Sequence, residues 1–391
     1  MATQLKSVAP TPDPLDDMSL PGWLYYDPEF FEAEKTAFLR KAPQIVCHES
    51  EIPEPGEWRT LEYLGESVLV IRGDDGEIRA FSNVCRHRGS RVVDGTGGCA
   101  KVLTCPYHAW SYGRDGRLVG VPHRHEYPGL QTDRLSLFPV ALENWRGFLF
   151  VTLEPGIPSV AEIMAPYEAE IEPYRFRELR ALQQVRLRPR TLNWKTIADN
   201  YSDHLHIPIG HPGLTRLFGR SYRIEAQEWV DKMEGDLVEK VSSNPSERTY
   251  QHHLPKVAHL PGSHQRKWLY YKLFPNVAFD IYPDQVDFMQ FLPISATTSM
   301  IREISYALPD DRREMKAVRY LNWRINRRVN AEDTELITRV QLGMQSPTYK
   351  AGPLGRSEVC LRSFSKKLRK MIPEARLDSP PPDGWSRLAN A

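Results

Sequence analysis

Two short segments of the chain each pair one cysteine with one histidine. The first contains Cys85 and His87, and the second, after seventeen intervening residues, contains Cys105 and His108. Thiolates and imidazoles are ligands of iron–sulfur clusters and of zinc. Replacing two thiolates of a [2Fe-2S] cluster by imidazoles lowers the negative charge near one iron and raises the reduction potential. The spacing therefore predicts a metal centre held between two loops.

A structural zinc site is the alternative for the same four residues, because two cysteines and two histidines also bind zinc. Zinc fingers, however, pair cysteine with cysteine and histidine with histidine along the chain, whereas each segment here is mixed. Gly89 allows a tight first loop, and Pro106 stiffens the second. The pattern favours a cluster over zinc.

The two segments resemble those of the Rieske iron–sulfur family. Respiratory-chain members have a further cysteine in each loop, and these form a disulfide beside the cluster. This chain has Ser90 and Tyr107 at those positions. The resemblance is therefore to the oxygenase branch, the terminal (alpha) subunits of Rieske non-haem iron oxygenases of the ring-hydroxylating family. It implies that a [2Fe-2S] cluster is bound by four residues, Cys85, His87, Cys105 and His108.

A second pair of candidate ligands, His206 and His211, lies in the C-terminal half of the chain. On an ideal helix two residues with this spacing point about 140° apart, so they can share a metal only if the helix loosens between them. Pro208 supplies such a break. Two imidazoles and one carboxylate, with positions left open, form the facial triad of non-haem Fe(II) oxygenases.

The carboxylate must come from elsewhere, and an amphipathic helical pattern from residue 313 to about residue 342 offers one. At about 100° per residue, Asp333 falls about 40° from Val329, on the apolar side of the helix. A carboxylate in an apolar core is costly unless it is paired with a cation or a metal, which makes Asp333 the candidate third ligand. Glu332 lies at the opposite margin and is not excluded by the projection. A buried ion pair of Asp333 with a nearby arginine is the structural alternative.

These residues extend the resemblance to the second half of the chain. The iron-binding segment of the family reads Asn-x-x-Asp/Glu-x-x-His, four residues and His, and its third ligand lies in an acidic segment that leads to a Gln. The matching residues here are Asn200, Asp203, His206, His211 and Asp333. The resemblance implies that Asp203, beside Asn200, bridges His206 and His108 of a neighbouring subunit, so that the active form is a homotrimer.

Composition is that of a globular protein of 391 residues, with 41% apolar and 26% charged residues, which is long enough for two domains. The net charge of +1 argues against a nucleic-acid partner. There is no apolar run of about 18 residues and no secretory signal at the start, so we expect no membrane partner. Five cysteines in so long a chain do not form a disulfide framework, and we expect a cytoplasmic protein.

The pattern of elements predicts an α+β protein with an antiparallel sheet in its second half. Residues 1–40 are expected to form a loose tail over 1–20 and then a helix, capped by Asp27, that packs on the catalytic domain. Short β-type runs, with a hairpin at Asp115 and Gly116 and a last strand over 145–153, indicate an all-β Rieske [2Fe-2S] domain over 41–155. Residues 156–391 would form the catalytic domain with the mononuclear iron, for which the resemblance implies an α/β helix-grip fold.

Two further expectations concern the second half of the chain. Four histidines in a segment broken by proline and glycine, at positions 252, 253, 259 and 264, are expected to lie in a mobile loop over the pocket. Residues 376–391, rich in proline and polar groups, are expected to form a tail.

The resemblance implies a terminal oxygenase that uses O2 and electrons from NAD(P)H, delivered by a reductase or ferredoxin, to oxidise a small organic molecule. The chain has no nicotinamide or flavin fingerprint of its own, which agrees with a separate electron donor. A protein of another class, a Rieske electron-transfer or ligand-binding protein without iron in its second domain, is the alternative.

The sequence specifies the substrate less closely than it specifies the metal centres. Four rings on the presumed sheet could line a pocket, although about half should be core: Phe279, Tyr282, Phe288 and Phe291. We expect an aromatic or otherwise apolar molecule that is hydroxylated or demethylated. The alternative is a quaternary ammonium compound, similar to choline, betaine or carnitine, held by cation–π contacts. The residues between Asn200 and His206 are closer to family members of this second kind.

Overall fold

The first half of the chain folds into three small antiparallel sheets. The computed structural model describes residues 13–388. Ten strands build these sheets: β1 (Gln44–His48), β2 (Glu57–Tyr63), β3 (Glu66–Arg72), β4 (Ile78–Ser82), β5 (Thr96–Gly98), β6 (Val102–Thr104), β7 (Ser111–Gly113), β8 (Leu118–Gly120), β9 (Ala141–Trp145) and β10 (Phe148–Thr152). The sheet orders are β1-β10-β9, β4-β3-β2-β5 and β6-β7-β8.

Two details of this half differ from the sequence-based expectation. The run predicted as one strand over 145–153 begins at the end of β9, because Arg146 and Gly147 turn the chain with positive φ angles of 52° and 94°. Residues Thr96–Gly98 lie in a glycine-rich stretch of the kind that predicts a turn, yet they pair with β2 as an edge strand.

One eight-stranded antiparallel sheet organises the second half. Its strands are β11 (Arg180–Ala181), β12 (Arg186–Arg190), β13 (Arg223–Ala226), β14 (Val230–Asp236), β15 (Lys267–Leu273), β16 (Val277–Ile281), β17 (Val286–Pro293) and β18 (Ser299–Ala307). The order is β11-β18-β17-β16-β15-β14-β13, and β12 also pairs with β18. The predicted α+β class with an antiparallel sheet is confirmed.

Helices cover this sheet and frame its centre. They are α1 (Pro28–Glu34), α2 (Val160–Met164), α3 (Glu168–Ile171), α4 (Trp194–Ser202), α5 (Ile207–Gly210), α6 (Pro212–Phe218), α7 (Pro245–His253), α8 (Arg313–Met344), α9 (Val359–Met371) and α10 (Trp385–Leu388). The long helix α8 contacts α4, α5, α6 and α7, and α4 also packs on β17. The sheet, α4 and α8 therefore enclose the space in which the second set of candidate ligands lies.

The N-terminal helix is tied to α4 by buried polar contacts. Asp27 caps α1 by accepting the N–H of Phe30 at 2.7 Å. Lys195 and Glu34, both fully buried, form an ion pair of 2.7 Å. Removing either charge would leave the other buried without a partner, which is far more costly than the pair itself. The start of α4 is thus held firmly.

Both predicted tails are partly wrong. Trp385 is buried, with its ring centroid 6.3 Å from that of Trp23, and Leu20 is buried in the same apolar cluster. The rest of those predictions, residues 1–12 and 389–391, lies outside the described residues. The predicted mobile loop is also wrong for His252 and His253, which end helix α7 against α8. No helix between residues 13 and 388 combines the length and apolar character that a membrane crossing requires.

Candidate metal centres

The two cysteine–histidine segments form facing loops after β4 and β6. The Cys85 N–H donates to the Ser90 carbonyl at 2.8 Å, and the Cys105 N–H donates to the Trp110 carbonyl at 2.9 Å. Both cysteines are buried, whereas the imidazoles lie nearer the surface, with ring centroids 4.5 Å apart. The fold brings all four predicted ligands together, with sulfurs inside and imidazoles outside.

The side chains around this centre suit a two-iron cluster. The His87 ring stacks on Trp110, with its Nε2 at 3.5 Å from the Tyr127 hydroxyl, and its buried Nδ1 has no protein partner. That nitrogen is therefore free to bind a metal. A single zinc ion needs its donors within about 4 Å of one another. Among the described residues, no three donor atoms of this loop set lie within 4.8 Å, which counts against zinc.

The second centre begins where α4 ends. The chain leaves the helix at Asp203, whose ψ is 138°, and His206 then precedes the short helix α5. His211 lies between α5 and α6 with ψ 73°. We predicted a break at Pro208, but Pro208 lies inside α5, and the two breaks lie on either side of it. They turn both imidazoles towards one point.

Three donor atoms meet at that point. The Nε2 atoms of His206 and His211 lie 3.1 Å apart, and Asp333 Oδ1 lies 2.8 Å from His211 Nε2 and 3.6 Å from His206 Nε2. Neighbouring ligands of an octahedral ion with bonds of about 2.1 Å are about 3 Å apart, so this spacing fits one metal ion. It is the only such group of three found in the described part of the chain.

Each of these atoms is oriented by a second group. Asp203 Oδ2 lies 2.9 Å from His206 Nδ1, and Asn200 Nδ2 donates to Asp333 Oδ1 at 2.7 Å. Glu332 Oε2 lies 3.0 Å from His211 Nδ1. The helical projection left Glu332 open as a ligand, but the structure places it on the nitrogen that faces away from the shared point. The sequence contained no signal for this contact.

The electrostatics of the site favour added positive charge. Burial opposes the charge on His206, but hydrogen bonds to Asp203 and Asp333 outweigh it and raise the pKa of the imidazole to about 9. Burial alone would raise the pKa of Asp333, yet hydrogen bonds with His206, His211 and Asn200 lower it to about 2. A divalent cation supplies this charge in place of protons, and the donor set suits Fe(II).

A cavity of about 330 Å³ opens from these three ligands between α8 and the sheet. One row of side chains crosses its sheet wall, because Tyr270, Asp280, Asp287 and Ser305 are direct partners on β15, β16, β17 and β18. Asp280 is only 8% exposed. Burial raises its pKa to about 7, and burial together with the neighbouring Asp280 charge raises the pKa of Asp287 well above its usual range.

The aromatic lining differs from the one that the sequence suggested. Phe279 packs on the far side of the sheet against Trp145 and Phe148, at ring distances of 5.6 and 5.0 Å. Tyr282 packs against Trp268 at 4.7 Å. Phe288 is the direct partner of Phe279 on β17, and its ring packs on the same far side against Tyr306 at 6.0 Å. Phe291 lines the cavity but is fully buried. The half-buried rings that face the cavity are Tyr201, Tyr222, Tyr270 and Trp323.

Comparisons with known proteins agree with both centres. Residues 42–139 match the Rieske [2Fe-2S] domain, and residues 175–374, half of the chain, match the ring-hydroxylating alpha subunit catalytic domain. The carnitine monooxygenase oxygenase subunit of Escherichia coli (strain K12) is 29% identical over 347 residues, 86% of this chain and 87% of that protein. The glycine betaine monooxygenase oxygenase subunit of Pseudomonas aeruginosa (strain UCBPP-PA14) is 34% identical over 200 residues, 51% of this chain and 46% of that protein.

Two kinds of solved structure share the fold. The quaternary ammonium Rieske monooxygenase CntA in complex with L-carnitine has a TM-score of 0.74 at 23% identity, over 92% of this chain and 96% of that one. Naphthalene 1,2-dioxygenase from Rhodococcus sp. bound to indole has a TM-score of 0.74 at 21% identity, over 91% and 95%. The same architecture therefore carries either kind of substrate, and the cavity side chains must distinguish them.

Proposed function

The chain belongs to the ring-hydroxylating alpha subunit family, and we propose that within it this protein oxidises a small quaternary ammonium compound by monooxygenation or N-demethylation. It is a terminal oxygenase that carries a Rieske [2Fe-2S] cluster and a mononuclear iron and depends on a reductase for electrons. When bound, the cluster supplies those electrons and the iron activates O2. The proposed substrate class rests on the side chains that line the cavity.

The acidic row in the cavity carries this proposal. Asp280 and Asp287 are opposite each other on β16 and β17, and neither has a cationic side chain within 4.0 Å among the described residues. Asp280 is buried and Asp287 is half-buried, and two such carboxylates side by side cannot both be ionised at low cost without a positive charge between them. A neutral aromatic substrate would leave that cost in place, whereas a cation removes it.

The tyrosines next to this row suit a cation without N–H groups. Tyr201 donates its hydroxyl hydrogen bond to Asp280, and its ring lies 6.5 Å from that of Tyr270. Tyr222 lies 6.2 Å from Tyr270. Quaternary ammonium groups are recognised by such ring faces through cation–π attraction. We expected an aromatic substrate from the sequence, and the acidic row moves the proposal to the cationic alternative.

Similar proteins support the same class. Their names describe carnitine, glycine betaine and choline monooxygenases, the last of them chloroplastic in Beta vulgaris. All three substrates carry a trimethylammonium group. Among these, we propose no single compound, because the acidic row recognises the charge that they share.

The ligand roles are part of the proposal. Cys85, His87, Cys105 and His108 would hold the cluster in a domain over 41–155. His206, His211 and Asp333 would hold the iron in a domain over 156–391. Asn200 would orient Asp333 through its amide, and Asp203 would orient His206. These roles rest on the contacts described above and on the chemistry of the donor atoms.

We also propose that the protein is a homotrimer, in which the cluster of one subunit passes electrons to the iron of a neighbouring subunit. Asp203 is 19% exposed and would reach His108 of a second copy while it holds His206, which would fix the two imidazoles relative to each other. Next to it, Leu205 and Ile209 are 47% and 86% exposed. Apolar side chains of that size beside a reactive site favour a covering partner. A second copy would bury them.

Turnover with matched substrates tests the substrate class. The holoprotein would be supplied with a reductase, and O2 uptake and formaldehyde would be measured with choline and with 3,3-dimethylbutanol, its uncharged analogue of the same shape. We expect coupled oxidation of the cation and a kcat/KM at least about tenfold lower for the neutral analogue. Equal rates for both, or oxidation of indole without any response to choline, carnitine or betaine, would contradict the proposal.

A further inference from the structure

The cavity has a second charged region, away from the metal ligands. Trp323 and Arg327 precede Asp333 on α8 and lie about 15 and 9 Å from it along the helix axis. Arg186 begins β12, in the sheet that forms the opposite wall. All three side chains line the cavity. Arg327 is exposed, whereas Arg186 and Trp323 are half-buried, so this end is where the cavity meets solvent.

Both guanidinium groups are held against the same indole ring. The Cζ atoms of Arg186 and Arg327 lie 5.4 and 5.3 Å from the centre of the Trp323 ring. Arg186 also donates to the Gln183 side chain at 2.6 Å. Stacking on an aromatic face fixes the plane of a guanidinium and leaves its edge free to bind a carboxylate with two hydrogen bonds.

Neither group is neutralised by the protein. Within residues 13–388, no carboxylate oxygen lies within 4.0 Å of Arg186 or Arg327. Arg188 provides the contrast, because it lies two residues further along the same strand, lines the same cavity and is paired with Glu303. Of the four arginines that line the cavity, only Arg188 is paired with a carboxylate among the described residues. Arg190 is unpaired as well, but it donates to the Thr334 hydroxyl, whereas Arg186 and Arg327 hold their charges next to each other on Trp323.

We propose that Arg186 and Arg327 bind an anionic group of the substrate, so that the substrate is a zwitterion. Its ammonium group would lie at the row of Asp280 and Asp287, and its carboxylate would lie at Trp323. Asp280 is the inner end, since Tyr201 links it to the helix that carries Asn200, the partner of Asp333. The two ends of the cavity thus carry opposite charges.

The strand register bounds the distance between the two charges of the ligand. Arg186 pairs with Glu303 on β18, and Glu303 pairs with Met289 on β17, two residues from Asp287. Two strand steps separate the backbones by about 10 Å, and the long arginine side chain spans part of that gap. A carboxylate a few bonds from the nitrogen fits this spacing.

Binding of one acid and its ester tests the inference, which rests on the proposed function. The probes are γ-butyrobetaine and its methyl ester, which share the ammonium group and differ in the negative charge. Their dissociation constants would be measured by calorimetry on the anaerobic holoprotein. We expect the wild type to bind the acid about tenfold more tightly than the ester. The double substitution Arg186→Met and Arg327→Met should bring that ratio close to one, and Arg186→Lys should keep part of it.

The ratio within each variant separates the possible outcomes. Arg324→Met is the matched control, because Arg324 is an exposed arginine of α8 outside the cavity lining, and it should keep the wild-type ratio. Equal binding of acid and ester by the wild type, or an unchanged ratio in the double variant, would overturn the zwitterion alone. Ester binding that tightens when acetate is added would assign the site to a free anion and would also overturn it. Binding of neither probe would overturn the proposed function as well.

Discussion

The two metal centres are built in opposite ways. The proposed cluster ligands come from two adjacent loops, each closed by its own backbone hydrogen bonds at Cys85 and Cys105. The proposed iron ligands come from two breaks around α5 and from α8, more than a hundred residues further on. The first centre is local in the sequence, whereas the second exists only when α4, α8 and the sheet are packed together.

This difference has a functional consequence. A centre made of two short loops presents its imidazoles near the surface, where another protein can reach them, and has no room for a substrate. A centre made where two helices meet a sheet leaves a cavity beside the metal and places carboxylates around it. Electron entry and substrate oxidation are therefore assigned to different architectures within one chain.

The largest effects should come from removing one ligand of each centre. Asp333→Ala should lower the iron content from about three to about two atoms per chain without changing the visible spectrum of the cluster. Cys85→Ser should remove the cluster and its spectrum and leave one iron. Turnover should fall below detection in both. Iron and acid-labile sulfide analysis measures this, and loss of both centres in either variant would contradict their independence.

Mixing these two variants extends the same test to the trimer. Each inactive subunit keeps the centre that the other has lost, so an interface between them would contain one intact cluster and one intact iron. When an equal mixture assembles at random, about a quarter of all subunit interfaces should be of this kind, and part of the activity should return. Co-expressed variants that trimerise without any recovery would show that the two centres of one chain act together.

Substitution of Asp203, the proposed bridge between subunits, should leave both metal centres in place and prevent electron transfer between them. Asp203→Asn keeps the size of the side chain but removes the charge that faces His206 Nδ1. When iron is saturating, we expect full iron and sulfide content and a turnover about 100-fold lower, which is the upper end of the effects seen for groups that orient metal ligands. Steady-state turnover and metal analysis on the same sample measure both quantities. Wild-type activity would refute the bridge.

Glu332 and Asp203 contact the two imidazoles of the proposed iron site in matching ways, yet only Asp203 lies on the predicted path between subunits. Glu332→Gln should therefore weaken Fe(II) binding about tenfold, because His211 becomes a weaker ligand, with a smaller effect on turnover once iron is saturating. Competition with a chelator gives the affinity.

The control lies on the same helix. Glu335→Gln removes a carboxylate that pairs with Arg339 with the i, i+4 spacing by which Arg328 pairs with Glu332, but on an exposed face. It should leave Fe(II) affinity unchanged. The same loss of affinity in both variants would point to a change in helix α8 instead of an effect on His211.

The sequence predicted the local centre more completely than the distributed one. The four loop residues were found because their spacing contains the whole motif. Asp333 was identified from the helical projection, which gives the direction of a side chain but not its partner. The projection therefore could not decide whether Glu332 is a metal ligand. Asp280 and Asp287 were missed because strand alternation shows which residues share a face, while the pairing of β16 with β17 and the position of the cavity depend on the packed sheet.

The smallest expected effect concerns the cavity and not the metals. Burial raises the pKa of Asp280 to about 7, opposed by the hydrogen bond from Tyr201, so the carboxyl is mostly protonated at pH 6 and mostly ionised at pH 8. The nearby charge of Glu303 raises the pKa of Asp280 in the same direction. Because the ionised form attracts an ammonium group, the KM for a quaternary ammonium substrate should fall severalfold between these pH values. In Asp280→Asn it should stay near the pH 6 value throughout, and an unaltered fall of KM with pH would assign the titration to another group.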